Sequence, residues 1–202
     1  MCSSDLLTRS VIGLVVVSAI ILRSGHRERF RTQRLGLHVG RNLFHFAGQY
    51  GWFLGLGLLP LAQVFALEFT TPLWTLLIAA VLLKESLTAR KLVAILLGSL
   101  GVVVILNPGG EMVQSASLYV LAAAVFYALA HVSTKALSTT EDPLSILFYM
   151  CLVQLPIGLA MGASSFVLPT AMQWVWLTLI GLTALSAHFC MTHAMKIGRA
   201  HV

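Results

Sequence analysis

The chain has 202 residues, of which 58% are hydrophobic and 10% charged, with a formal net charge of +6 and a mean hydropathy of +0.89. Soluble domains carry roughly 25% charged residues, and a globule of this size has too little interior to hide so much apolar surface. Disorder, a disulfide-stapled secreted scaffold and a nucleic-acid-binding domain are excluded together, and an all-α polytopic transmembrane helix bundle is expected.

The two ends come first. Met1-Cys2-Ser3-Ser4-Asp5-Leu6 back-translates as GTG TGC TCT TCC GAT CTT, and the reverse complement of that word encodes Lys196-Ile197-Gly198-Arg199-Ala200-His201. One DNA word read on opposite strands writes both termini, as a sequencing adapter would. Residues 1–6 and 196–202 are therefore expected to be non-native.

A membrane helix needs about 20 predominantly apolar residues. Seven candidates follow in chain order: 7–22, 42–58, 61–83, 89–107, 117–137, 143–163 and 172–193. Leu59-Pro60 separates the second from the third, and Lys84-Glu85-Ser86-Leu87-Thr88 turns the third into the fourth. Asn107-Pro108-Gly109-Gly110 ends the fourth, and Asp142-Pro143 opens the sixth as an N-cap with proline at the first helical position. Strand-like alternation is missing. Cys2, Cys151 and Cys190 lie far apart with no ligand spacing, so neither a disulfide framework, a metal site nor a cofactor is expected.

Charge sets the orientation. The stretch 23–41 carries Arg23, Arg27, Arg29, Arg31, Arg34 and Arg41 against the single acid Glu28, which makes it cytoplasmic by the positive-inside rule. Alternation then places Lys84, Arg90, Lys91 and Lys135 inside, while 58–61, 107–117 and 164–172 contain no Lys or Arg. The first span then enters from the outside, as expected of a chain lacking an earlier helix.

Glu68 lies inside the third apolar run, where an acid costs about 2.5–3.5 kcal/mol on insertion scales. At helical spacing Glu68, Thr71 and Thr75 share a face, and Pro72 beside them is expected to kink the helix. An acid, two hydroxyls and an open turn suit a substrate or proton site; the competing reading is a protonated carboxyl acting as structural glue. Arg41, His45, Gln49 and Trp52 form a second stripe, with Arg41 and His45 expected to snorkel and Gln49 to line a path. Tyr127, His131 and Lys135 form a third row, Lys135 at the interface. Gly51/Gly55 and Ala94/Gly98, followed by Gly101, are close-packing signals. Trp174 and Trp176 fit an interfacial belt. No catalytic motif is present, so movement rather than bond cleavage is expected.

The passage from Leu58 to Thr88, with Leu97-Gly-Ser-Leu-Gly-Val-Val-Val-Ile-Leu106 after it, resembles the EamA domain of the drug/metabolite transporter superfamily. Pro72, Glu85 and Gly98/Gly101 match its mid-helix proline, helix-end acid and Gly-rich helix. The resemblance implies a ten-helix inverted-repeat transporter in the inner membrane, working by alternating access. Seven spans of the ten would be present: 7–107 as a partial first repeat and 117–195 as a partial second, with Gln49 and His188 in corresponding places. A site between the repeats would then be incomplete. On this reading the solute or proton pathway comprises Gln49, Glu68, Thr71, Thr75, Tyr127 and His131. The expected partners are a small-molecule solute, membrane lipid and a second copy in a homodimer, with no nucleic acid. Two rivals stand beside it: a membrane enzyme with its site in missing ends, and an assembly subunit using Gly51/Gly55 and the Arg-rich stretch.

Overall fold

The computed structural model describes residues 2–106, 115–162 and 169–197. The expected turn Asn107-Pro108-Gly109-Gly110 and residues 198–202 of the C-terminal end lie outside them. Among the described residues the order is α1 (Cys2–Ser24), a short 3-10 turn (Arg27–Phe30), α2 (Leu35–Leu58), α3 (Leu61–Glu68), α4 (Thr71–Leu82), α5 (Ala89–Leu106), α6 (Ser115–Leu137), α7 (Pro143–Gly162) and α8 (Ala171–Ile197). With α3 and α4 taken as one interrupted segment, these match the seven expected spans, and no strand occurs among the described residues. Five segments are long and apolar enough to cross a membrane: Leu7–Ser24, Leu61–Leu82, Ser115–Leu137, Pro143–Met161 and Ala171–Ile197.

Two features differ from the sequence expectation. The second helix starts at Leu35 rather than at 42, because Thr32 Oγ1 accepts the Arg34 N–H (2.9 Å) and the Arg34 carbonyl accepts from Leu37 and His38 (2.9 and 3.1 Å). The third is not a single kinked rod: it stops at Glu68 and restarts at Thr71. Thr70 folds back on Leu67, its N–H (3.1 Å) and its hydroxyl (2.6 Å) both reaching the Leu67 carbonyl. Pro72 has no N–H to offer the Glu68 carbonyl, and it sits in the first turn of the new helix, where that lack costs little.

The chain divides into two compact units interleaved in sequence, Met1–Asn42 with Thr134–Val202, and Leu43–Ser133. In the first, α1 packs on α7 and α8 around Val17, Ile21, Leu147, Met150 and Cys151. As expected, Asp142 caps α7, its Oδ1 accepting the Leu144 N–H (3.0 Å) with Pro143 as the first helical residue. Tyr149 OH donates to the Phe30 carbonyl (2.9 Å), and Arg34 Nη1 donates to the Ala136 carbonyl (2.9 Å), so the Arg-rich stretch is tied to helix ends.

In the second unit, Leu59, Val64, Leu67, Ala116 and Val120 form the core. Gly51 and Gly55 on α2 let α6 approach: a Cβ at Gly51 would lie 3.0 Å from the Tyr119 carbonyl, and one at Gly55 would overlap Val120 Cγ2. The close packing expected of Gly51 and Gly55 is thus found within the chain, between α2 and α6. Gly98 on α5 receives Leu73 of α4, whereas Gly101 faces open space. Glu85 is held in the α4–α5 turn by Lys91 (3.4 Å). Elsewhere the outward residues are large and apolar, including Val81 at 76% exposure and Leu96 at 69%. That is the inverse of a soluble surface and suits hydrocarbon.

Candidate functional site

The expected pathway residues all fall in the second unit. α2 runs through it with its polar side inward: His45 and Gln49 are buried, while Leu43, Tyr50 and Leu54 face out. A helix arranged this way needs polar company inside, and α3 supplies it. Trp52, one turn beyond Gln49, donates its indole N–H to Glu68 Oε2 at 2.7 Å. Glu68 is the last residue of α3, so this bond fixes the carboxylate exactly where the chain leaves helical geometry.

Two buried oxygens near this bond in sequence, Gln49 Oε1 and Thr71 Oγ1, have no hydrogen-bond partner. Buried polar atoms are ordinarily satisfied, and those that are not mark places where water or a ligand docks. Thr75 differs, since its hydroxyl donates to the Thr71 carbonyl (2.8 Å) along α4. Pro72 is exposed beside the break. Tyr127 on α6 packs its ring over Gly48, where a Cβ would lie 2.9 Å from Cδ1, and meets the His45 ring at 5.6 Å between centroids. His131, one turn further, is half-buried. The structure therefore brings Glu68 to Trp52 and Tyr127 to His45.

One group differs from the sequence expectation. Arg41 does not snorkel: it is 1% exposed, in the first unit, with Nε donating to Thr134 Oγ1 (3.1 Å) and Nη1 to Asn42 Oδ1 (2.8 Å). His38 and Asn42, which the sequence reading passed over, are buried with it. Their signal was the three-to-four spacing 38, 41, 42, 45, 49, which extends the stripe back by a turn.

Helices coated with large apolar residues, five segments of them fit to span a bilayer, with the polar side of α2 buried, define a multi-pass membrane protein. The profile of the EamA-like transporter family matches residues 6–107. The chain is 33% identical over 196 residues to a riboflavin transporter of Brucella anthropi, covering 94% of this chain and 69% of the relative. It is 31% identical to a riboflavin transporter of Vibrio cholerae (90% and 61%) and 28% identical to an S-adenosylmethionine uptake transporter of Rickettsia prowazekii (85% and 58%). The chain belongs to the EamA-like transporter family, among transporters rather than enzymes. It spans 58–69% of the length of these three relatives.

Proposed function

We propose that this chain forms part of a secondary transporter that moves a small metabolite across the inner membrane by alternating access, with residues 23–41 cytoplasmic. Gln49, Glu68, Thr71, Thr75, Tyr127 and His131 are read as its solute or proton pathway, within the Leu43–Ser133 unit. The observation that carries this reading is the Trp52–Glu68 bond at an interrupted helix, with Gln49 Oε1 and Thr71 Oγ1 buried and unpartnered on either side of it in sequence. Half-helices meeting at membrane depth are a recurrent way of exposing backbone and side-chain polarity to a solute. An intramembrane acid held there has a reason to be retained despite its insertion cost. Riboflavin and S-adenosylmethionine, named for the relatives, are the first solutes to try.

The test is solute flux into liposomes reconstituted with the product of the complete reading frame. Glu68→Gln keeps size and hydrogen bonding but removes the charge. Uptake is expected to fall at least tenfold, or to lose its pH dependence. Unchanged flux with an unchanged pH profile removes Glu68 from the pathway.

A further inference from the structure

Arg41 is a buried cation whose partners are all neutral. Its side-chain hydrogen bonds go to a hydroxyl and an amide oxygen, and none of the ion pairs among the described residues includes it. A guanidinium carries five N–H donors and a full charge, and a charge taken out of water is normally paired. One turn earlier His38 is 0% exposed with neither ring nitrogen hydrogen-bonded. Its ring lies against Tyr149, 4.5 Å between centroids, and Nε2 is 4.0 Å from Glu141 Oε1, beyond hydrogen-bond reach. Glu141 accepts instead from Thr32 Oγ1 at 2.6 Å. Asn42 is fixed by donating to the His38 and Tyr149 carbonyls (2.8 and 3.3 Å). The cluster thus holds one uncompensated positive charge and an idle imidazole, in a frame already rigid.

Glu141 and Tyr149, which face His38, also line a cavity of about 770 Å³ together with Phe30, Arg31 and Arg34. That volume lies within the range of small-molecule sites. Its two arginines outnumber its single acid, Glu141, which favours the approach of an anion, and Arg41 and His38 lie behind this lining rather than in it.

We infer that Arg41 and His38 form an anion site that receives a carboxylate or phosphate group of the transported solute, reached through this cavity, which favours S-adenosylmethionine, a carboxylate, over riboflavin, which carries neither group. The role of the anion as part of a transported solute rests on the transporter reading above; its binding does not. The planar fork of Arg41 suits either group, which would supply the missing counter-charge, and His38 would add a further donor.

The experiment uses the 202-residue chain in phosphatidylcholine nanodiscs, with inorganic phosphate and acetate as probes against chloride at matched ionic strength. Thermal unfolding is expected to shift upward by several degrees, saturably, with one or both probes. Arg41→Gln should abolish the saturable part, Arg41→Lys should retain a weakened one, and Arg27→Gln, in the exposed turn, should behave as the parent. If Arg41→Gln does not fold, the Lys variant and His38→Gln carry the comparison, each with a binding constant weakened at least threefold. No saturable shift in the parent, or equal shifts in parent and Arg41 variants, overturns the assignment. So does a shift produced by phosphatidylglycerol alone, which would give Arg41 to a lipid headgroup. Because the readout is binding, a failure of solute flux leaves it untouched, so the two readings fail separately.

Discussion

Glu68 and Trp52 show what one hydrogen bond can position. The indole N–H is a single-direction donor, and at 2.7 Å it holds the carboxylate at the end of α3. Trp52→Phe keeps the aromatic bulk and deletes the donor, and should destabilise the chain by about 1–2 kcal/mol. The double change with Glu68→Gln should cost less than the sum of the two, as unfolding midpoints in detergent would show. Glu68 itself was legible in the sequence, since an acid in an apolar run stands out. Its partner was not, because Trp52 sits on another helix and aromatic residues are common in spans. The burial of Arg41 is illegible for a related reason. A basic residue near a span end looks the same in sequence whether it reaches for water or is sealed beneath Thr134 and Asn42.

The helices were readable because apolar run length fixes them, and four of the seven segments begin and end within two residues of the expected positions. The third is interrupted ahead of its proline rather than bent at it. Proline marks the first turn of a helix as readily as a kink, and here α3 stops at Glu68 and Pro72 lies in the first turn of α4. The α2–α6 seam depends on missing side chains. Gly55→Leu should force the helices apart against Val120 and destabilise by about 1–3 kcal/mol, whereas Gly57→Ala, facing open space, should be neutral or mildly stabilising. The comparison of unfolding midpoints checks both. In the turn Arg27–Phe30, the Glu28 carboxyl is held below its ordinary 4.5 by its own backbone N–H, then by His26. A depressed carboxyl contributes order above its ordinary value and loses it as pH falls through the lowered one. Amide exchange at Arg29 and Arg31, measured relative to the intrinsic rate at each pH, should therefore lose protection as the solution is acidified below pH 4.5.

The described helices present many large apolar residues outward, and α2 turns a polar side inward; the sequence made the first of these plain. The second depends on which helix covers which, information that periodicity does not hold. On the proposed orientation, Arg31→Cys in a background with the native cysteines replaced should react with an impermeant maleimide only after cells are permeabilised. Labelling of intact cells would reverse the topology. The polar side of α2 bears on assembly as well. This 24-residue helix is long enough to cross a bilayer but is not among the five apolar enough to qualify. His38, Arg41, Asn42, His45 and Gln49 would penalise it on leaving the translocon alone. It therefore has to wait beside the translocon until α6 and α7 emerge to shield it, so biogenesis of this protein is a cooperative event rather than a sequence of independent insertions.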